Sequence, residues 1–311
     1  MLSDRIKEEA KRLGFYVCGV ARCEPLEYLR PFYSGFLNRG GHAGLHYLES
    51  YLEKRLNPEL VLKGARSVIA VLMNYYPARI QPADDNYLIS KHVYGRDYHR
   101  IMRERLEQLT RWLQQEYGPH RCKSFVDSGP VLEKVWANRC GVGWQGKNTL
   151  LIHKTGGSYF FIGIILTELE FDPDPVMPDH CGNCNRCVQA CPTGALDHPY
   201  QLRIERCISY HTIELHPAHG APTTLKLHGR IYGCDICQDV CPYNRFARPN
   251  ADPEFSPFTE LITFRTKDWI SLTEEQFLEI FRDSAVQRIG YQNFKRNVIR
   301  AMQDARTGDT E

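Results

Sequence analysis

The sequence has no excess of charge of either sign: 39 lysines and arginines stand against 37 aspartates and glutamates in 311 residues, a net +2 at pH 7. So balanced a chain carries no molecule-wide field, and any basic surface for nucleic acid must be local. Long apolar runs are missing too. The most apolar stretch, Tyr159 to Leu166, is far shorter than the roughly 20 residues a membrane-crossing helix requires. The start, Met1 to Ala10, is charged and helical in pattern where a secretory signal would be apolar, so none is expected. With 42% hydrophobic and 24% charged residues the composition is that of an ordinary globular chain, which excludes disorder as a main theme. Its length suits one substantial domain plus a smaller one.

What the chain does have is cysteine. Twelve cysteines without a secretory signal point to a reducing cytoplasm, where thiolates bind metal instead of pairing. Eight of them are organised. Cys181-Gly-Asn-Cys184-Asn-Arg-Cys187-Val-Gln-Ala-Cys191-Pro192 is the C-x2-C-x2-C-x3-C-P run of bacterial iron–sulfur proteins. Cys234-Asp-Ile-Cys237-Gln-Asp-Val-Cys241-Pro242 repeats its ending without the leading cysteine, which Cys207 can supply. In two-cluster ferredoxins the fourth cysteine of a run ligates the other cube. That crossover assigns Cys181, Cys184, Cys187 and Cys241 to one [4Fe–4S] cluster, and Cys191, Cys207, Cys234 and Cys237 to the second. Zinc also accepts four thiolates from paired C-x2-C motifs, but the triple run ending in Cys-Pro favours iron cubes. Cys18, Cys23, Cys122 and Cys140 read as small buried thiols.

Ahead of the cysteines the pattern alternates helix and strand. Ser3 caps a helix whose Leu2, Ile6, Ala10 and Leu13 share a face, Gly14 ends it, and Phe15 to Val20 follows as a strand. A second helix is expected from Gly44 to Leu56; His42 and His46 at its start lack the glutamate of H-E-x-x-H and read as surface or packing histidines. Ser67 to Tyr75 is apolar enough for a central strand. A helix from Asp97 to Tyr117 buries Ile101, Leu106, Leu109 and Leu113 and turns Arg100, Arg103, Arg105 and Arg111 to solvent. Next, Lys123 to Asp127 reads as a strand ending in an acid, with a helix from Pro130 to Cys140. Asp127 is placed either to catalyse or to cap that helix. Gly141-Val-Gly-Trp-Gln-Gly146-Lys147 fits G-x-G-x-x-G only by letters, because helix precedes and strand follows, the reverse of a dinucleotide fold. Strands Asn148 to His153 and Ser158 to Thr167 are expected to form a hairpin across Gly156-Gly157.

Proline-rich joints at Asp172 to Pro178 and Arg248 to Pro253 divide the chain into residues 1–171, 172–250 and 251–311. The last part promises helices at Thr273 to Asp283, opening in a capping box, and at Tyr291 to Met302. Six cations (Arg282, Arg288, Lys295, Arg296, Arg300 and Arg306) against Asp283 and Asp304 make a local basic excess that could grip phosphates. Two adjacent clusters conduct electrons, and the large region before them must hold what receives those electrons. No flavin or nicotinamide motif names it. The cobalamin pattern D-x-H-x-x-G is also absent, since Asp97-Tyr-His99 lacks the glycine.

Six further segments carry a resemblance. Asp127-Ser-Gly-Pro-Val-Leu-Glu-Lys, Gly141-Val-Gly-Trp-Gln-Gly-Lys147-Asn, Cys191-Pro-Thr-Gly-Ala-Leu, Cys207-Ile-Ser-Tyr-His-Thr-Ile-Glu214, Gly229-Arg-Ile-Tyr-Gly-Cys-Asp235 and Cys241-Pro-Tyr-Asn together resemble the epoxyqueuosine reductases, through Asn297. The resemblance implies an α+β chain: a nitroreductase-like α/β cobalamin-binding domain, a two-cluster ferredoxin-like module and a short helical C-terminal tail. It implies reduction of epoxyqueuosine to queuosine in the anticodon loop of tRNA, with cobalamin reduced through the two [4Fe–4S] clusters by a cytosolic low-potential donor of ferredoxin or flavodoxin type. Asp127 matches the family's proton donor, raised in pKa by burial, while Ser209, Cys234 and Asp235 match its corrin pocket. Arg55 and Lys147 are added as partners for amide or phosphate groups. A cytoplasmic monomer without a membrane is expected. Many members continue into helical repeats; here the sequence stops at Glu311, so a grip on tRNA from such repeats is missing or replaced by the basic tail. A cobalamin-dependent reductive dehalogenase shares the plan, but a twin-arginine signal is absent, and a ferredoxin-type carrier would leave the first 171 residues without a task.

Overall fold

The computed structural model of the chain describes residues 2–215 and 224–308, with the side chains of Leu2, Arg306 and Thr307 outside the described set. It is a mixture of helix and largely antiparallel sheet, divided into two compact units. The first comprises Met1–Asn74, His99–Cys184 and Tyr243–Ala247; the second comprises Tyr75–Tyr98, Asn185–Pro242 and Arg248–Glu311.

The first unit is built on four strands: β1 (Val17–Arg22), β2 (Ser67–Asn74), β3 (Cys122–Phe125) and β4 (Phe160–Thr167). Their order is β1-β2-β4-β3, with every neighbouring pair antiparallel. β2 is interior and buried from Ser67 to Met73, so a continuous apolar run replaces the alternation of a half-exposed strand. Helices α1 (Leu2–Arg12), α2 (Tyr98–Tyr117) and α3 (Glu133–Arg139) accompany the sheet. The buried stripe of α2 is Ile101, Met102, Leu106, Leu109 and Leu113. Arg100, Arg103 and Arg111 are exposed as expected, but Arg105 turns back and donates to the Leu13 carbonyl at 3.3 Å. Trp136 and Ala137 carry α3 into a core with Leu26, Leu56, Val68, Leu72 and Ile164.

Three expected elements differ. The helix from Gly44 to Leu56 is instead a single turn, His46–Leu48, and a short helix, Leu52–Leu56. Left-handed backbone at Ala43, Gly44 and Tyr51 breaks it, because a non-glycine residue at positive φ cannot continue a right-handed helix. A helix at Arg30–Asn38, with Pro31 in its first turn, was not anticipated. The hairpin is also re-paired: Leu151–Ile152 pairs with Trp144–Gln145, and only a His153–Gly157 bridge remains on its far side. Phe160 to Thr167 pairs with β2 and β3 because its length and burial fit the interior of the larger sheet.

The second unit gathers aromatic side chains. Trp269, Phe277, Phe281 and Phe294 are buried together with Tyr87, Tyr94 and Ile231. Thr273 and Gln276 close the anticipated capping box, the Gln276 N–H donating to the Thr273 hydroxyl at 3.3 Å and the Thr273 N–H to Gln276 Oε1 at 3.0 Å. Asn297, fully buried on α4 (Gly290–Gly308), donates to the carbonyls of Thr212 at 2.8 Å and Ile231 at 3.0 Å. Among the described residues no helix is long and apolar enough to cross a membrane.

Candidate active site

Asp127 follows β3 in left-handed backbone, φ 54°, a conformation that a non-glycine residue holds only when its surroundings fix it. The fixing group is Glu133, the first residue of α3, whose Oε1 accepts the Asp127 N–H at 2.7 Å. Asp127 is therefore not the helix cap; that position is Leu132, which offers no side-chain bond. The Asp127 side chain is half exposed, and its Oδ2 lies 3.6 Å from His99 Nε2. Burial falls instead on the Glu133 carboxyl. Desolvation first, and then the charge of Asp127, push it well above the usual carboxylate range. A buried carboxylic acid held neutral is a stored proton. Sequence reasoning singled out Asp127 and missed Glu133 and His99, although both stood inside motifs it had quoted.

Four of the six cysteines of the second unit form a set. Cys191, Cys207, Cys234 and Cys237 lie near enough for their charges to disfavour one another's ionisation. Burial raises Cys237 and lifts the Cys234 thiol to about 12. Burial would also raise Cys191, but the Thr193 hydroxyl and the N–H groups of Thr193, Ala195 and Leu196 outweigh it and bring that thiol down. Among the described residues the group of three His, Cys, Asp or Glu ligand atoms within 4.8 Å of one another is His42, His46 and Glu49, and no cysteine trio comes so close. A single zinc would draw its sulfurs to about 3.8 Å of each other, given Zn–S bonds of about 2.3 Å. Four thiols that sense one another at wider spacing suit a cube, in which each binds a different iron.

Cys181 and Cys184 belong to the first unit, in a loop held by Trp144 and Lys147. Trp144 Nε1 donates to Cys181 Sγ at 3.4 Å, and Lys147 Nζ donates to the Gly182 carbonyl at 2.6 Å. Trp144 is fixed edge-on by His180 and Tyr243, with ring centres 5.0 and 4.8 Å away. Lys147, proposed from the sequence as a phosphate or amide partner, spends its ammonium on this loop. Arg55 likewise donates to the carbonyls of Ser50 at 3.1 Å and Tyr47 at 2.9 Å.

Asp235 is buried and receives the Ser90 hydroxyl, the Lys91 N–H at 2.8 Å and the Lys91 ammonium at 3.4 Å. Burial alone would push Lys91 down; Asp235 and Asp239 prevail and hold it up. Ser209 precedes a π-helical turn, Tyr210–Glu214, and its N–H reaches the Cys207 sulfur. Such turns are rare and recur at functional sites. Inside it His211 is buried, with Nε2 on the Glu205 carbonyl at 2.8 Å and Nδ1 without a partner among the described residues. Since a carbonyl accepts from Nε2–H, and burial keeps the ring neutral, Nδ1 is an unmet acceptor. Of the basic tail, Arg288 pairs with Glu214, Lys295 donates to the Ile270 and Leu272 carbonyls, Arg296 to Leu215 and Arg300 to Leu225. Lys295, Arg296 and Arg300 tie α4 to its own unit.

Comparison with known proteins decides the family. An epoxyqueuosine reductase of Cellulophaga algicola is 42% identical over 296 residues, covering 95% of this chain and 96% of that one. The chain belongs to the epoxyqueuosine reductase family. A family model described as Epoxyqueuosine reductase QueG, DUF1730, matches residues 55–128, and one described as 4Fe-4S double cluster binding domain matches residues 180–244. The epoxyqueuosine reductase of Escherichia coli is 35% identical, covering 99% of this chain and 83% of its own. Two solved epoxyqueuosine reductases align over 97% of this chain and 81% of theirs. One, bound to an epoxyqueuosine-modified tRNA stem loop, has a TM-score of 0.86 at 31% identity. The other, from Bacillus subtilis, has its catalytic aspartate loop swung out of the active site, with a TM-score of 0.85 at 30% identity. Residues 181 to 241 thus lie in an iron–sulfur double-cluster domain, as the cysteine spacing suggested.

Proposed function

We propose that this chain reduces epoxyqueuosine to queuosine in the anticodon loop of tRNA. The observation that carries the reading is the near full-length identity to epoxyqueuosine reductases, with the Asp127–Glu133 pair lying inside the matched length. The C-O bond of an epoxide leaves as an oxyanion and needs a proton. Asp127 is the residue proposed to deliver it: it is exposed enough to meet a substrate and sits on a loop, as does the catalytic aspartate of the Bacillus subtilis relative. Glu133 holds the Asp127 backbone and supplies the neighbouring proton, and His99 faces the other carboxylate oxygen.

The cluster ligands are proposed as the crossover sets: Cys181, Cys184, Cys187 and Cys241 for one cube, Cys191, Cys207, Cys234 and Cys237 for the other. Support for the second set is the mutual influence of its four thiols. A cobalamin in a nitroreductase-like domain is the finer part of the proposal. The fit rests on the π-turn: the unmet Nδ1 of His211 wants an N–H donor, which a corrin amide side chain has, and Ser209 stands two residues before it. Ser209 and His211 would hold the amide rim, with Cys234 and Asp235 behind. When bound, cobalamin would supply the reducing equivalents at the epoxide, refilled through the clusters. Asp235 and Lys91 keep the Cys234–Cys237 segment in place, and Trp144 and Lys147 do the same for Cys181. The donor is proposed to be a low-potential ferredoxin or flavodoxin, the location the cytoplasm and the state a monomer. Residues 1–171, 172–250 and 251–311 are proposed as catalytic, electron-delivering and accessory parts.

The test is mass spectrometry of nucleosides after anaerobic incubation of cluster- and cobalamin-loaded protein with epoxyqueuosine tRNA and a strong reductant. Queuosine is expected; unchanged epoxyqueuosine with full iron and cobalamin content would refute the activity.

A further inference from the structure

From Glu27 to Arg55 no residue of the first unit is fully buried, and its apolar contacts with the core come from the partly buried Leu29 and Leu52 near its two ends. Its bonds are polar. Arg30 pairs with Glu27 and Glu53, each at 2.7 Å, and the Tyr33 hydroxyl donates to the Leu48 carbonyl at 2.9 Å. At its centre the chain doubles back through Gly40 at φ 67°, Ala43 at φ 50° and Gly44 at φ 78°. That reversal brings the rings of His42 and His46 to 6.0 Å, and the turn His46–Leu48 carries Glu49 up to both. Glu49 Oε1 stands 3.0 Å from His42 Nε2, and Glu49 Oε2 stands 3.1 Å from His46 Nδ1. The three ligand atoms lie within 4.8 Å of one another.

We propose that His42, His46 and Glu49 form a binding site for a borderline divalent cation, zinc in the first instance. Two imidazoles and one carboxylate are a known zinc donor set, and bonds of about 2.0 to 2.1 Å place tetrahedral ligand atoms about 3.3 Å apart. The two nitrogen–oxygen edges here are close to that length. His42 is the fixed member, its side chain 14% exposed and its Nδ1 buried without a partner among the described residues. Glu49 and His46 are the outer members, so a cation can enter without moving the core, and water takes the fourth position. The ion would clip together the glycine-rich turn at Gly40 to Gly44. Neither the cysteines nor the proposed activity takes part, so this site stands or falls separately from them.

The experiment uses tag-free, iron-loaded protein dialysed against zinc, with metals counted by mass spectrometry, alongside His46→Ala and Glu49→Gln. The His46 side chain is 72% exposed, so its truncation leaves the fold in place, and equal iron content verifies that. Wild type is expected to hold one more zinc per chain than either variant, and zinc is expected to slow tryptic cleavage after Arg39 and Lys54 in wild type alone. Equal zinc in all three proteins, a cleavage rate indifferent to zinc, or zinc gained only as iron is lost would each overturn the proposal.

Discussion

In the proposed reaction, Asp127 and Glu133 divide between them what a general acid requires. Left-handed backbone at a non-glycine residue costs on the order of 1 kcal/mol or more, and the Glu133 oxygen on the Asp127 N–H is what makes that geometry persist. Asparagine tolerates the same backbone region, so Asp127→Asn is expected to keep iron, cobalamin affinity and melting temperature while turnover falls about 10²- to 10⁴-fold, the usual worth of a positioned acid. Nucleoside mass spectrometry reads the first and calorimetry the second; persistent turnover would mean that another group donates. Glu133 adds a pH signature. Burial holds its folded pKa well above the ordinary carboxylate range, so its neutral form contributes stability that is complete below that ordinary range and is lost as pH rises through the folded value. Glu133→Gln, which copies the neutral acid, is expected to flatten that decline in thermal unfolding between pH 4.5 and 8. An unaltered slope would place the proton elsewhere.

Among the elements, the turn from Gly141 to Ile152 departs furthest from what its letters suggest. It is a two-stranded hairpin, Trp144–Gln145 on Leu151–Ile152, that aims an indole N–H at the Cys181 sulfur. Donors to a cluster sulfur favour the more negatively charged, reduced state and raise its potential. Trp144→Phe keeps the ring and removes the donor. One of the two potentials is expected to fall by a fraction of the roughly 59 mV that corresponds to a tenfold change for one electron, as protein-film voltammetry would register; two unmoved potentials would show the bond to be idle. β1 offers a packing test. A Cβ on Gly19 would stand 2.0 Å from the Cys140 carbonyl and 2.8 Å from Val142. The Cys140 contact is with backbone and the Val142 contact with its side-chain Cγ1, so Gly19→Ala is expected to cost at least about 1 to 3 kcal/mol, seen in denaturant midpoints. Elements with one strong period were legible in the sequence: β2 as an unbroken apolar run, α2 as a 3.6-residue stripe, the Thr273 capping box. Those decided by backbone sign or by distant pairing were not, which is why Tyr51 breaks an expected helix and β4 pairs across the sheet.

At the scale of the molecule, the double-cluster domain was legible because thiolate spacing is a local property of sequence. The exchange of segments between the units was not, since Tyr243–Ala247 joins the first unit and Tyr75–Tyr98 the second, and such grouping of distant stretches is settled only by folding. The same limit hid Glu133 and His99: one lies six residues from Asp127 and the other on α2, and only folding brings each to it. The ligand assignment gives the most general prediction. Two cubes hold about eight iron atoms per chain. Cys207→Ser removes one thiol from the set with Cys191, Cys234 and Cys237, so about four irons should be lost and one paramagnetic signal should disappear on reduction. Because burial lifts the Cys234 thiol to about 12, that site is protonated when empty and must release protons to bind iron. Loading of this cube should therefore weaken more steeply with falling pH than metal binding by already ionised ligands. The core of the first unit, which contains none of these four residues, should melt unchanged. Retention of all eight irons in Cys207→Ser would break the crossover assignment, and stoichiometric zinc in anaerobically prepared wild type would remove the electron path on which the proposed reduction depends.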